Sequence, residues 1–201
     1  PGAGLYRNVR LVKTAPTRIA QWGIFITTPV ISAKTAEVSV KTEIDRAADA
    51  TGEIRLVTDI FNDQGVKVGS ATATHKGDAA ALFQQTVKVK SPQLWSIENP
   101  VRYKAVSRLY VANELQDEQT TVFGFRTLCF DKDQGFFLNG KPVKMQGVCL
   151  HHDLGPIGSA VNYRATERQL ALMKEMGCNA IRTSHNPPSP ELLNICDSLG
   201  L

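Results

Sequence analysis

Two stretches decide how this chain folds: Gln146-Gly147-Val148-Cys149-Leu150-His151-His152-Asp153 and Asn179-Ala180-Ile181-Arg182-Thr183-Ser184-His185-Asn186-Pro187. Each runs from a short apolar strand into polar residues. Val148-Cys149-Leu150 is apolar throughout, which suits a strand covered on both faces in a parallel sheet or barrel. Between the two stretches lie a polar, Gly-rich loop, His151–Asn162, and a helix expected over Glu167–Met176. Leu170, Met173 and Met176 form its apolar stripe, Thr166 with Gln169 its capping box, and Gly177 its stop. The second strand is expected over Asn179–Arg182. Ser189 then caps a helix with Pro190 at its first position, Leu192, Leu193 and Cys196 on its buried side, and Gly200 at its end. This makes two β/α units. A closed barrel takes eight, in about 250 residues, so an incomplete TIM barrel is expected.

Upstream, Phe136–Leu138, Asn139-Gly140 and Val143–Met145 read as a hairpin whose second arm continues into the first barrel strand. Residues 17–123 read as all-β. Val38, Val40, Thr42 and Ile44 share one face of Ala36–Ile44, and Ile54, Leu56, Thr58 and Ile60 share one face of Glu53–Phe61. Asn62-Asp63-Gln64-Gly65 is a turn leading to Val66–Thr74. With Ile19–Thr27, Leu82–Val89, Tyr103–Val111 and Thr120–Phe123 the strands number seven, the pattern of an immunoglobulin-like sandwich. Ahead of them, Val9–Val12 reads as the last strand of a domain whose body lies upstream. The fold class expected is mainly β: an immunoglobulin-like β-sandwich at 17–123, then the first two β/α units of a TIM barrel at 124–201, with 1–16 ending a preceding domain.

The composition is that of an ordinary globular protein: 201 residues, net charge +4, 42% hydrophobic. Basic and acidic residues alternate, which argues against a nucleic-acid partner. No apolar run approaches the ~20 residues of a membrane span. No signal peptide is visible, and the first residue is Pro1. Cys129, Cys149, Cys178 and Cys196 form no C-x-x-C pair and are expected to be small buried thiols.

In a β/α barrel the functional groups sit where strands run into the following loops. His151-His152-Asp153 and Arg182-Thr183-Ser184-His185-Asn186 occupy such positions, on neighbouring strands. His151 and His185 suit hydrogen bonds to sugar hydroxyls, and Arg182 a charge-assisted contact with a carboxylate. Two other readings stay open. His151, His152, Asp153 and His185 are suitable metal-ligand types, although adjacent histidines on a strand point opposite ways. Loop histidines that merely make turn hydrogen bonds are the plain structural reading.

The chain resembles glycoside hydrolase family 2, the β-galactosidases, β-glucuronidases and β-mannosidases. The resemblance rests on Gly4-Leu5-Tyr6-Arg7-Asn8-Val9, on Leu94-Trp95-Ser96-Ile97-Glu98-Asn99-Pro100 with Tyr103, and on Phe123-Gly124-Phe125-Arg126. It continues through Leu138-Asn139-Gly140-Lys141-Pro142-Val143, Gln146-Gly147-Val148, Asn179 to Pro187, and Cys196 to Leu201. It implies that residues 1–16 leave a sugar-binding jelly roll, that His151 and His185 contact the sugar, and that Arg182 contacts the nucleophilic glutamate of a retaining mechanism. The Leu-His-His-Asp-Leu-Gly stretch at 150–155 is closest to a β-galactosidase subgroup. Cys149, Leu150 and His152-Asp153 depart from the best-known β-galactosidases.

Such hydrolysis normally needs two carboxylic side chains. Asp153 is the only acid in either cluster. Glu167, Glu175, Glu191 and Asp197 fall on helices, Glu98 and Glu114 are assigned to the sandwich, and Asn113-Glu114 is read as a hairpin turn. The resemblance implies that both catalytic glutamates lie beyond Leu201, so the chain alone is expected to be inactive. No metal site and no cofactor are expected. The expected partner is a carbohydrate, a β-galactoside or a related sugar, with homo-oligomerisation left open. The alternative is a non-catalytic carbohydrate- or protein-binding sandwich, which usually shows exposed aromatic platforms. Trp22 and Trp95 are the only tryptophans, and Trp95 is expected in a core.

Overall fold

The computed structural model describes residues 7–47, 50–76 and 81–201. The chain divides into two compact units, Val12–Gln93 with Val101–Arg126, and Pro1–Leu11 with Leu94–Pro100 and Thr127–Leu201.

The first unit is the β-sandwich. Its strands are β1 (Thr17–Ile31), β2 (Thr35–Arg46), β3 (Ile54–Phe61), β4 (Lys67–His75), β5 (Ala81–Lys90), β6 (Tyr103–Val111) and β7 (Glu114–Phe123). They form two antiparallel sheets, β1-β2-β5 and β4-β3-β6-β7. Period-2 patterning produces this directly. In β5, Ala81, Phe83, Gln85, Val87 and Val89 are buried and every residue between them is exposed. Ile19, Ile44, Ile54, Leu56, Phe83 and Leu109 form one core cluster.

One polar network lies inside that core. The Thr58 hydroxyl donates to Gln85 Oε1 (2.7 Å) and lies 3.0 Å from the Ser107 hydroxyl, while Gln85 Nε2 donates to the carbonyls of Leu56 (3.1 Å) and Ala71 (3.2 Å). A second network surrounds Asp59, which accepts from Ser70 (2.7 Å), Lys67 (3.2 Å) and Arg108 (3.0 Å).

Two details differ from expectation. β7 begins at Glu114, not Thr120, because Ala112 and Asn113 (φ 48° and 68°) turn the chain in two residues, the geometry of a tight hairpin. Asn113 is therefore in the turn, while Glu114 pairs with Val111. β1 carries a bulge between Ile19 and Ile24. There Trp22 takes φ 58° and stands 80% exposed.

The second unit contains an antiparallel sheet of β8 (Leu128–Asp131), β9 (Gly135–Leu138) and β10 (Lys141–Pro142), in the order β10-β9-β8. A parallel pair, β11 (Gly147–Leu150) and β12 (Ala180–Thr183), follows, with helices α1 (Tyr163–Glu175) and α2 (Pro190–Leu199). β8 was not expected. The hairpin arm over Val143–Met145 is corrected: β10 ends at Pro142, and β11 is a separate strand because its ladder runs to β12. Gly147 is required there, since a Cβ would run into the Ala180 carbonyl.

α1 starts four residues earlier than expected. Its cap is Asn162, whose Oδ1 accepts from the Ala165 amide (3.0 Å). Thr166 lies inside the first turn and donates to the Asn162 carbonyl, so no Thr166/Gln169 box forms. Ser189 caps α2 and Gly200 closes it at φ 74°. The buried side of α2 centres on Ile195, whereas Leu193 is 50% exposed.

Leu94–Pro100 groups with this second unit by its contacts. Trp95 is buried there, as expected, and its indole N–H donates to the Asp197 carbonyl (2.8 Å). Val9–Val12 forms no strand. Val9, Leu11 and Val12 are exposed, and no described strand lies alongside to complete a ladder. The motif residues Gly4, Leu5 and Tyr6 lie outside the described residues. The cysteines also divide: Cys178 is buried and Cys196 half-buried, but Cys129 and Cys149 are exposed on strand faces that no described residue of this unit covers.

Candidate functional site at the ends of the parallel strands

β11 and β12 run in register, with Cys149 beside Arg182 and Leu150 beside Thr183. Alternation separates their side chains into two faces. Leu150 and Thr183 face a small cleft, about 60 Å³, that Thr166 and Leu192 of the helices also line. Cys149 and Arg182 project from the opposite face and are exposed.

Arg182 organises that face. Its Nη1 donates to Cys149 Sγ (3.6 Å) and Ser184 Oγ (3.4 Å), and its Nη2 lies 3.5 Å from His185 Nδ1. Ser184 is buried, and its amide extends the ladder to the Leu150 carbonyl (2.8 Å). The His151 and His185 rings stand perpendicular with centroids 6.4 Å apart. The three residues singled out from the sequence are thus brought together. The hydrogen bonds from Arg182 and Ser184 hold the Cys149 thiol below its ordinary value.

The remaining candidates fall elsewhere. Asp153 Oδ1 accepts from the Gly155 amide (2.8 Å), which turns the loop. His152 and Asp153 line the cleft on the helix side, where His151 also reaches, whereas Arg182 and His185 do not. Among the described residues His151, His152, Asp153 and His185 are not gathered as a metal-ligand group. Glu167, Glu175, Glu191 and Asp197 lie on α1 and α2, off the strand ends.

Sequence reading missed three participants. Cys149 becomes visible only through the register that sets it beside Arg182. Arg7 Nη2 donates to the Pro187 carbonyl (2.6 Å), and Asn8 Nδ2 lies 3.4 Å from Glu191 Oε1. Those contacts span about 180 positions, and no local periodicity announces them.

The sandwich and the two β/α units both match models of one family. Residues 17–126 match the model for glycosyl hydrolases family 2, and residues 131–201 match the TIM barrel domain of the same family. The chain belongs to glycoside hydrolase family 2.

Over 201 residues it is 42% identical to a β-galactosidase of Bacteroides ovatus, covering 99% of this chain and 24% of that protein. Over 209 residues it is 35% identical to a β-glucuronidase of Bacteroides fragilis, covering 98% of this chain and 29% of that protein. A solved structure of a family 2 member from Bacteroides cellulosilyticus superposes with a TM-score of 0.90 at 39% identity, covering 94% of this chain and 24% of that one. The chain spans about a quarter of the length of the relatives it matches.

Proposed function

We propose that this chain is part of a retaining β-glycosidase, with a β-galactoside as the favoured substrate, and that it supplies a sugar-contacting rim without the bond-breaking carboxylates. The observation that carries this reading is the convergence of His151, Arg182 and His185 at the ends of β11 and β12. His151 and His185 contact sugar hydroxyls through neutral imidazoles. Arg182 presents a fixed cation to the nucleophilic glutamate, stabilising its ionised form. Neither glutamate of a retaining pair stands at this rim, and both are assigned to later strands of the barrel. Residues 1–16 are read as the exit from a jelly-roll domain, and the sandwich as a spacer.

The 42% identity to a β-galactosidase favours a galactoside. The β-glucuronidase relative supports a β-glucuronide as the second reading, and a β-mannoside belongs to the same family. The test is an assay on chromogenic β-galactoside, β-glucuronide and β-mannoside. It compares the 201-residue chain with a polypeptide extended through the whole barrel. Turnover of the galactoside by the extended chain only is expected. Robust turnover by the 201-residue chain would sink the missing-carboxylate reading, and preference for the glucuronide would replace the substrate.

The exposed Trp22 favours one further reading, a sandwich that itself binds carbohydrate. Titrating the chain with oligosaccharides while following tryptophan fluorescence distinguishes it. A saturable change abolished in Trp22→Ala is required.

A further inference from the structure

We infer that Arg182 fixes His185 as the tautomer that carries its proton on Nε2, so that His185 meets a ligand as a hydrogen-bond donor through Nε2. This rests on the reading of the rim as a sugar site, but the tautomer itself is tested without any sugar.

A guanidinium has five N–H donors and no acceptor. Its approach to an imidazole nitrogen is favourable only where that nitrogen presents a lone pair. Arg182 Nη2 stands 3.5 Å from His185 Nδ1, so Nδ1 is the acceptor. A neutral imidazole has one N–H, and with Nδ1 bare it is placed on Nε2.

The guanidinium is held in this pose from its other side. Nη1 donates to Cys149 Sγ, from the strand-register partner, and to Ser184 Oγ. Ser184 is 3% exposed and tied by its amide to Leu150, so it anchors the pair to the sheet. Arg182, Cys149 and Ser184 are therefore positioning residues for His185. Nε2–H selects an acceptor, such as a lone pair of a pyranoside hydroxyl oxygen, at the point it faces.

The experiment is long-range ¹H–¹⁵N NMR of the imidazoles in the ¹⁵N-labelled 201-residue chain, at a pH where histidine is neutral. His185 is assigned by loss of its signals in His185→Gln. The expected result is a bare, pyridine-like Nδ1 and a protonated, pyrrole-like Nε2. Arg182→Met keeps the apolar stem and removes the donors, so the Nδ1–H tautomer, absent in the wild type, should become detectable beside Nε2–H at His185. Arg182→Lys retains a donor and should restore the single tautomer.

Two results overturn the inference: a wild-type His185 protonated on Nδ1, or an unchanged Nε2–H tautomer in Arg182→Met. The wild-type spectrum decides even where that variant does not fold. Adding methyl β-galactoside separates the underlying reading. A fixed tautomer with no sugar-induced shift at either histidine contradicts the sugar site and leaves the tautomer standing.

Discussion

The two units of this chain use the same alphabet of half-buried elements, and only one of them closes on itself. In the sandwich each sheet covers the other, so alternate residues of β2 and β5 are fully buried and Val38, Val40, Ile54, Leu56, Ile60 and Leu109 are 0% exposed. In the α/β unit Leu170 and Ile195 are equally buried, so α1 and α2 have a real contact. β8, in contrast, is exposed along its whole length, and Phe130, Met176 and Leu193 stand in solvent. The lesson is about who supplies the cover. A sandwich needs two sheets and has both. Parallel strands need neighbours on two edges and cover on two faces, and two β/α units supply only the helical face. Cys149 and Arg182 project from the uncovered one.

Mutations should reproduce that contrast. Leu56→Ala in the sandwich is expected to cost about 2–5 kcal/mol, read as a lowered urea midpoint. Leu193→Ala on α2 should stay within about 0.5 kcal/mol. Equal effects would break the comparison. Gln85→Leu comes next, at about 1–3 kcal/mol, because it removes a donor to the Leu56 and Ala71 carbonyls and the acceptor of the Thr58 hydroxyl.

The Asp59 network adds a pH dependence confined to the sandwich. Burial raises the Asp59 carboxyl, but hydrogen bonds from Ser70 and Lys67 and the charges of Lys67 and Arg108 outweigh it and leave the group lowered. A lowered folded value means that the contribution is complete above the ordinary carboxylate range and is lost as pH falls through the folded value. Denaturation midpoints should therefore fall on acidification, with a shallower slope in Asp59→Asn. An unchanged slope would remove the network from the account.

The smallest effect concerns thiols, all of them in the α/β unit. Cys129 and Cys149 should be alkylated promptly, and Cys149 should lose reactivity at neutral pH in Arg182→Met. Cys196, pushed up to about 11 by burial and by Asp197, and buried Cys178 should lag. Mass spectrometry of a time course reads all four.

The legibility of each region follows from its physics. All seven sandwich strands were readable in place, because period-2 burial repeats along strands such as β2 and β5, whereas the bulge in β1 and the early start of β7 carry no such alternation. Ser189 and Gly200 were readable as caps because their chemistry is local. Asn162 was overlooked because the Thr166/Gln169 pattern competed with it one turn later. β8 escaped because none of its four residues is buried, so no alternation marks it. The placement of His151 and His185 just past strand ends, and of Arg182 near the end of β12, was legible from the sequence. Cys149 was not, since its role depends on register, and neither was the Arg7 contact, which only tertiary structure creates.

Hydrogen–deuterium exchange of the intact chain tests the central contrast most directly. Amides of β2, β3 and β6 should exchange only through global opening, while β8 and β11 exchange orders of magnitude faster. Protection of β8 and β11 equal to that of β3 would contradict the account, because it would mean that the face carrying Cys149 and Arg182 is closed within this chain.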